Sequence, residues 1–184
     1  EIFASIDETP LASASIAQVH AAKLTTGENV VIKVQKPGVE TILYTDLNVV
    51  HWATKMLEKA IPKVKFASLS EIVDEIKTRM VREVDFIEEA QNLDDFVEYL
   101  QITNNQAATA PKVYHQFSTR RVLTMERLYG VSLTDFEVVK KYAKDPSQVL
   151  ITAMNTWFGS LMLCKSFHAD LHAGNLMSVS YTHL

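Results

Sequence analysis

The segment SIAQVHAAKLTTGENVVIKVQ, residues 15–35, predicts the element on which the rest of the fold is built. It holds two runs rich in β-branched residues, SIAQVHAAKL and NVVIKVQ, separated by the turn-forming TTGE. Two such runs joined by a short loop with glycine are typical of an antiparallel hairpin. Lys33 lies in the second run between Ile32 and Val34. We expect its stem to pack on the sheet and its ammonium to lie at the sheet face, although an ordinary solvated lysine would also fit.

Long helices are predicted after this hairpin. Pro37 and Gly38 interrupt the chain, and the following residues favour a helix over about Val39–Ala60. From Leu69 to about Leu100 the apolar residues recur mostly at three- or four-residue steps. That spacing predicts one long amphipathic helix, or two in series.

The second half of the chain repeats the order of strands followed by helices. KVYHQFS (residues 112–118) and RVLTMERL (residues 121–128) favour strands. Helices are expected near Asp135–Ala143 and Pro146–Lys165. This order predicts an α+β protein, with a small antiparallel sheet in a first lobe and helices in a second.

Composition narrows the class of protein. The 184 residues carry a net charge of −4, which gives no basic field for nucleic acid. Cys164 is the sole cysteine, so an internal disulfide framework is excluded. The longest apolar run, about Val149–Cys164, is too short and too interrupted to predict a membrane span. The opening residues are typical of mid-domain sequence, and no targeting segment is visible in them.

Four further segments suggest a phosphoryl-transfer site, and REVDFIEEAQN (residues 82–92) is the first. Asp85 and Glu89 are four residues apart and would share a helical face, whereas Glu83 would point elsewhere. A carboxylate here could pair with Lys33, as a helix Glu pairs with a strand Lys in protein kinases. The alternative is an exposed acidic face.

PLASASIAQVH (residues 10–20) lies where a kinase carries its glycine-rich phosphate loop. Residues 1–26 contain no glycine, and alanine and serine take its place. Backbone N–H groups could still cradle a phosphate, and serine hydroxyls could donate to it. The alanine Cβ atoms, however, make positive φ angles costly. A plain loop of small residues under the sheet is the alternative.

HADLHAGN (residues 168–175) is the strongest single motif. His168, Asp170 and Asn175 keep the spacing of the kinase loop H-R-D-x-x-x-x-N, in which the Asp orients the acceptor hydroxyl and the Asn binds a metal ion. Ala169 replaces the Arg, which argues against gating by activation-loop phosphorylation. The alternatives are a metal site of His168, Asp170 and His172, or a polar loop.

VLTMERLYG (residues 122–130) could form a hinge that presents backbone groups to an adenine. Met125 would lie at the back of the pocket, with Glu126 to Leu128 as the hinge itself. An ordinary strand end is the alternative. The order of the segments along the chain, namely loop, strand Lys, helix Glu, hinge and catalytic loop, is that of a protein kinase.

Taken together, PLASASIAQVHAAKL, VVIKVQKPGVE, REVDFIEEAQN and FHADLHAGNL resemble the UbiB / aarF-domain-containing (ADCK-type) atypical kinases over about Thr9–Leu176. The resemblance implies a two-lobed protein-kinase-like fold that binds ATP or ADP with Mg²⁺ or Mn²⁺. It further implies weak ATPase activity and support of coenzyme Q or plastoquinone-type prenylquinone metabolism. The implied partners are a nucleotide, a prenyl lipid or quinone-biosynthesis proteins, and a membrane surface in a plastid, mitochondrion or bacterium.

The resemblance also assigns roles to residues. Asp170 and Lys33 would be catalytic, Asn175 a metal ligand, and Glu89 the partner of Lys33. The family signature would be carried by Glu83, Asp85 and His168. The nucleotide-binding residues would be Ala12, Ser13, Ala14, Ser15, Ile16, Ala17, Gln18, Lys33, Glu89, Met125, Glu126 and Leu128.

Two segments of the family pattern are missing from the sequence. The N-terminal Lys-x-Gly-Gln segment and the Asp-Phe-Gly that should follow Asn175 do not occur. MSVSYTHL (residues 177–184) does not match the expected strand and turn, and we expect it to be foreign sequence after a truncation. The expected divisions are therefore an N-lobe over 1–128, a partial C-lobe over 129–176, and a tail.

The functional alternatives are a small-molecule kinase of the aminoglycoside or choline type and a non-catalytic switch whose lipid or partner binding depends on the nucleotide. Both would use the same nucleotide site. We expect the intact protein to be an enzyme and the chain itself to turn over ATP very slowly.

Overall fold

The computed structural model describes residues 2–61, 68–133, 135–143, 145–164 and 177–179, and it confirms the α+β class. In chain order the elements are β1 (Phe3–Ile6), β2 (Ala12–Ser13), β3 (Ala17–Leu24), β4 (Asn29–Gln35), α1 (Val39–Ala60), α2 (Leu69–Glu83), α3 (Phe86–Ile102), a 3₁₀ turn (His115–Phe117), β5 (Val122–Glu126), β6 (Gly130–Ser132), α4 (Phe136–Tyr142), α5 (Pro146–Leu163) and β7 (Met177–Val179).

The predicted hairpin is the centre of the sheet. Strands β3 and β4 pair antiparallel from Ala17 opposite Gln35 to Lys23 opposite Asn29. The turn between them is closed by Gly27, whose φ of 106° lies in the left-handed region that glycine adopts without a steric penalty. The strand order is β1-β3-β4-β5, and β2 pairs with the start of β3.

One face of the sheet forms a compact apolar core. Alternate residues Val30 and Ile32 of β4 are buried, as expected when one face of a strand is covered. The rest of this cluster comes from Ala22, Leu24 and Tyr114, with Phe3, Phe117 and Val122 packed against it. Each fully buried Val or Leu side chain contributes about 1.5–3 kcal/mol to folding.

Helices α1 and α2 are joined by polar contacts. Lys77 Nζ donates to Asn48 Oδ1 over 2.7 Å, and His51 Nδ1 lies 2.8 Å from Asp74 Oδ1. Nearer the end of α1, the amide and the hydroxyl of Ser70 donate to the Glu58 carboxylate over 2.8 and 2.9 Å.

These two hydrogen bonds replace a side-chain cap at the start of α2. Ser68 occupies the N-cap position with φ 46° and makes no capping bond with its own side chain. The Ser70 amide and hydroxyl hold the pKa of the Glu58 carboxyl below its ordinary value of 4.5, because they stabilise the ionised form.

The outward side of α1 is apolar. This helix contains no buried residue. Its large exposed apolar side chains are Ile42, Tyr44, Val49, Val50, Trp52, Met56 and Leu57. Among the described residues, none of the helices has the length and the apolar character that crossing a bilayer requires.

The helical region predicted from Leu69 to Leu100 is two helices in series. Helix α2 ends at Glu83, and α3 begins at Phe86. Asp85 lies between them and accepts a hydrogen bond from the Ile87 amide over 3.0 Å, which satisfies one of the amides at the start of α3.

The strand predicted over residues 112–118 is wrong. Val113 makes a single bridge to Met125, and His115–Phe117 then form a 3₁₀ turn. Hydroxyl groups satisfy the backbone here: Thr124 Oγ1 donates to the Phe117 carbonyl over 2.8 Å, and Ser118 Oγ donates to the Tyr114 carbonyl over 3.0 Å. Such side-chain bonds compete with strand pairing, and periodicity alone does not reveal them.

The chain divides into two compact units. The first comprises residues 1–89 and 114–124, and the second comprises residues 90–113 and 125–184. The lobe division predicted at residue 128 from the order of the elements stays a prediction.

In the second unit, helices α3 and α5 are joined by polar contacts. The Tyr99 hydroxyl donates to the Thr156 carbonyl over 3.1 Å, and Asn105 Nδ2 donates to Thr156 Oγ1 over 2.9 Å. Helix α5 begins as predicted at Pro146, and the Asp145 carboxylate accepts from two amides of its first turn. Burial raises the pKa of the Cys164 thiol, which keeps it in the weakly nucleophilic protonated form at neutral pH.

A short antiparallel pair completes the second unit. Gly130 lies opposite Val179 and Ser132 opposite Met177. The expectation that residues 177–184 are foreign sequence stays a prediction. The pairing of β7 with β6 depends on backbone hydrogen bonds, for which almost any side chain suffices. Residues 180–184 lie outside the described part.

Candidate functional site

The first unit holds a lysine–carboxylate pair at the sheet face. Lys33 Nζ lies 2.8 Å from Glu89 Oε1 and 2.7 Å from Glu89 Oε2, so both carboxylate oxygens accept from one ammonium group. The side chains are 24% and 28% exposed, which places the pair at the edge of the interior and within reach of a ligand. The structure thus contains the pairing that the family resemblance implied for these two residues.

The Phe86 ring lies against the ammonium group of Lys33. Its ring is fully buried, and its centroid lies 5.0 Å from Lys33 Nζ. An aromatic face attracts a cation through its quadrupole, more strongly where water is partly excluded. Glu89 lies in the first turn of α3, where the helix dipole favours a negative charge. The site therefore fixes the ammonium group from two sides.

Buried polar contacts tie the strand of Lys33 to the start of α3. Gln35 is buried two residues beyond Lys33, and its Nε2 donates to the Val84 carbonyl over 3.1 Å. Val84 is itself buried just before Asp85, which caps α3. The backbone segments that carry Lys33 and Glu89 are thereby held together.

The alanine-rich segment forms a tight connection beside this strand. Ala12 pairs with Val19 and Ser13 with Gln18, while the Ala14 amide donates to the Ala17 carbonyl over 2.9 Å. The residues of the connection itself, Ala12, Ser13, Ala14 and Ser15, are exposed.

None of residues 12–18 has a positive φ. The cost that alanine would incur in a left-handed conformation therefore does not arise. Ile16 is half-buried, and its carbonyl accepts from the Lys36 amide over 2.8 Å. A contact of this loop with a nucleotide stays a prediction.

The predicted hinge residues lie in the second unit. The Glu126 amide donates to the Lys112 carbonyl over 2.8 Å, and the Lys112 amide donates back to Glu126 Oε2 over 3.2 Å. The Glu126 amide already donates a hydrogen bond within the second unit. An adenine bound at this residue would therefore have to use the Glu126 carbonyl. Met125 and Leu128 are half-buried.

The residues predicted to form a catalytic loop are not among those described. His168, Asp170, His172 and Asn175 lie in the segment 165–176, and of Glu83 the structure describes the backbone alone. Their assigned roles, and the alternative metal site of His168, Asp170 and His172, therefore stay predictions. Within the described ranges, no three His, Cys, Asp or Glu side chains cluster in a way that could hold a metal ion.

Sequence reasoning missed the groups that support the ion pair. Phe86 and Gln35 are both within three residues of a predicted site residue, yet each resembles an ordinary core or strand residue. Arg120, whose Nε donates to Asp85 Oδ2 over 3.0 Å, lies 35 residues from its partner. No local pattern predicts a contact over that separation. The polar segment STRR (residues 118–121) weakly indicates a turn at this position.

Comparison with known proteins gives a consistent family match. The model of the ABC1 atypical kinase-like domain matches residues 1–183. A chloroplastic aarF domain-containing protein kinase of Arabidopsis thaliana is 51% identical over 177 residues, which cover 95% of this chain and 33% of the relative. A probable protein kinase UbiB of Azotobacter vinelandii is 33% identical over 176 residues, covering 96% and 32%. The chain thus spans about a third of the length of these relatives.

A solved structure has the same fold. The complex of Rv3197 with erythromycin, from Mycobacterium tuberculosis, superposes with a TM-score of 0.70 at 28% sequence identity. The match covers 96% of this chain and 43% of that one. The similarity therefore extends over both compact units of the chain.

Proposed function

The chain belongs to the ABC1 atypical kinase-like family, as its sequence resemblance predicted, and on that premise we propose that it forms the nucleotide-binding part of a UbiB-type kinase or ATPase. A kinase-like character follows from the family itself. The proposal adds the ligand, ATP or ADP with a divalent cation, and the residues that bind it.

The Lys33–Glu89 pair is the observation that carries this proposal. An ammonium group has three N–H donors, and two of them serve the Glu89 oxygens. The third donor and the charge itself are what a phosphate oxygen would use. Because Glu89 and the Phe86 ring hold the ammonium in place, little side-chain freedom is lost when a phosphate binds.

The remaining chemistry is assigned through the family pattern. Asp170 would orient the acceptor hydroxyl or water, and Lys33 would offset negative charge on the transferred phosphoryl group. Asn175 is the residue proposed to hold Mg²⁺ or Mn²⁺. When bound, such an ion supplies further compensation of phosphate charge.

The setting of the intact protein is also a proposal. Relatives that carry the UbiB name motivate a role in prenylquinone metabolism, with a prenyl lipid or quinone-biosynthesis proteins as partners. A chloroplastic relative in a plant and bacterial relatives fit a plastid or bacterial location. Peripheral association with a membrane belongs to the same proposal.

Nucleotide titration of the purified chain tests the central claim. We expect MgATP or MgADP to bind the unmodified chain and to bind Lys33→Met at least about tenfold more weakly. Lys23→Met is the matched control, since Lys23 lies exposed on β3 at the far end of the hairpin. Equal affinities for all three proteins would contradict the proposed site.

Turnover separates the functional alternatives. In the full-length protein, Lys33→Ala and Asp170→Asn should each abolish ATP turnover. Phosphorylation of an added aminoglycoside or choline would favour the small-molecule kinase. Nucleotide binding without turnover, together with nucleotide-dependent binding to liposomes, would favour the switch.

The Rv3197 complex suggests one additional ligand to include. That relative was solved with erythromycin, a large and mostly apolar macrolide. Titrating erythromycin into the full-length protein, with and without nucleotide, would show whether this family member also accepts a bulky lipophilic ligand.

A further inference from the structure

A tight turn at Arg120 and Arg121 contacts both backbone segments that carry the Lys33–Glu89 pair. The Thr119 amide donates to the Val122 carbonyl over 2.7 Å, and the Val122 amide donates back over 3.4 Å. This reciprocal pair closes a two-residue turn just before β5. The Thr119 hydroxyl accepts from the Arg121 amide over 3.3 Å, which further fixes the turn.

Arg120 binds the start of α3 at two points. Its carbonyl accepts from the Phe86 amide over 3.1 Å, and its Nε donates to Asp85 Oδ2 over 3.0 Å. The other oxygen of Asp85 accepts from the Ile87 amide. The Asp85 side chain is 19% exposed, so its carboxylate links Arg120 to the first turn of α3 from a partly buried position.

Arg121 binds the end of β4 and the start of α1. Its carbonyl accepts from the Gln35 amide over 2.9 Å, two residues beyond Lys33. Its Nη2 lies 2.6 Å from Glu40 Oε2 in the first turn of α1. One turn therefore contacts the strand that carries Lys33 and the helix that carries Glu89.

We propose that the Arg120–Arg121 turn positions the Lys33–Glu89 pair, with Arg120 as a positioning residue for nucleotide binding. Displacing the start of α3 from the turn would move Glu89 relative to β4, and a bidentate contact tolerates little displacement. The Phe86 ring, which begins α3, would move with it. The consequence for nucleotide rests on the proposed function, whereas the consequence for the ion pair does not.

Arg120→Ala tests the proposal through its coupling to Glu89. In the otherwise unmodified chain, we expect Arg120→Ala to weaken MgATP binding about fivefold. In a Glu89→Gln background the pair is already broken, so Arg120→Ala should then have almost no further effect. Equal losses in both backgrounds would overturn the proposal, because Arg120 would then act by another route.

Two further variants test whether the loss of one positive charge alone explains the effect of Arg120→Ala. Arg79→Ala removes another exposed arginine, one paired with Glu75 along α2, and should leave MgATP binding unchanged. Arg120→Lys keeps the charge and should recover part of the lost affinity. A loss as large in Arg79→Ala as in Arg120→Ala would point to net charge, and would also overturn the proposal.

A direct measurement on the ion pair separates this proposal from the proposed function. Without nucleotide, Arg120→Ala should speed amide hydrogen exchange at Ile87, Glu88 and Glu89 and shift the NMR signal of the Lys33 side chain. If the chain bound no nucleotide but showed these changes, the positioning role would stand and the proposed function would fall. If exchange and the Lys33 signal were unchanged, the positioning role would be wrong whatever the nucleotide result.

Discussion

Lys33 and Glu89 are 56 residues apart in sequence, yet both Glu89 oxygens lie within 2.8 Å of the Lys33 ammonium. Helices α1 and α2 occupy most of the intervening sequence. The pair therefore depends on the position at which these two helices return the chain to the sheet. The buried Gln35 bonds to Val84 and Arg120 bonds to Phe86, both at the point where the chain returns to the sheet. These contacts link the stability of the first unit to the geometry of the site.

Glu89→Gln should separate binding from stability. Both side chains of the pair are about a quarter exposed, so losing the charge should cost less than about 1 kcal/mol of unfolding free energy. Nucleotide affinity should nevertheless fall about tenfold, because the neutral amide offers Lys33 one accepting oxygen in place of two charged ones. Urea unfolding and MgATP titration measure the two effects. Glu88→Gln, exposed in the same helical turn, is the matched control and should leave MgATP affinity unaltered.

Gln35→Leu should destabilise the first unit. The substitution keeps most of the side-chain volume but leaves the buried Val84 carbonyl without its amide donor. An unsatisfied buried polar group costs about 1–3 kcal/mol, and we expect urea unfolding to show a loss of that size. Gln101→Leu changes an exposed glutamine of α3 and should alter the unfolding free energy by less than about 0.5 kcal/mol. A Gln35→Leu variant as stable as this control would refute the assigned role of Gln35.

The same residues explain how far the sequence could predict the molecule. The β3–β4 hairpin and α1 follow from local patterns, since periodicity and turn residues act over a few positions. The periodicity of residues 69–100 left open whether one helix or two would form. The Lys33–Glu89 contact was expected from the family resemblance. Neither the residues around Lys33 nor the acidic pattern around Glu89 identified this contact alone. Phe86, Gln35 and Arg120 act through tertiary contacts that no local pattern encodes.

The structure of two segments was not predicted, and hydrogen bonding explains both. Residues 112–118 have strand propensity, but hydroxyls of Ser118 and Thr124 satisfy the backbone in a curled conformation instead. Strand β7 (Met177–Val179) pairs with β6 through the backbone, which almost any side chain allows. In both segments hydrogen bonds to the backbone, and not propensity alone, decide the conformation.

Glu58→Gln should reveal an acid-sensitive link between α1 and α2. The two hydrogen bonds from Ser70 lower the pKa of Glu58, so its carboxylate stabilises the fold above the ordinary pKa of 4.5. That stabilisation is lost as the pH falls through the lowered value. The Tm of the unmodified chain should therefore exceed that of Glu58→Gln at pH 7, and the difference should shrink as the pH drops below about 4.5.

Glu71→Gln provides the comparison for this pH dependence. Glu71 is exposed in the first turn of α2, so the variant removes a nearby carboxylate that is not the partner of Ser70. Its Tm difference from the unmodified chain should be smaller at pH 7. A Glu58→Gln difference that stayed constant from pH 7 to pH 3 would show that ionised Glu58 does not cap α2.

Gly159→Ala should destabilise the second unit even though alanine favours helices. In an exposed helix interior this change would stabilise by about 1 kcal/mol. At Gly159 the added Cβ would overlap the Tyr99 hydroxyl and lie 3.2 Å from Tyr99 Cζ, at the end of a rigid ring. Overpacking of this kind costs about 1–3 kcal/mol, and we expect a net loss in urea unfolding.

Tyr99→Phe makes this test specific, because it removes the overlapping atom. Alone it should cost about 1 kcal/mol, since the Tyr99 hydroxyl donates to the Thr156 carbonyl. Combined with Gly159→Ala it should destabilise by clearly less than the sum of the two single changes, because the main overlap is gone. Additive losses would show that Tyr99 does not limit the approach of α5 to α3, and that another contact penalises a side chain at position 159.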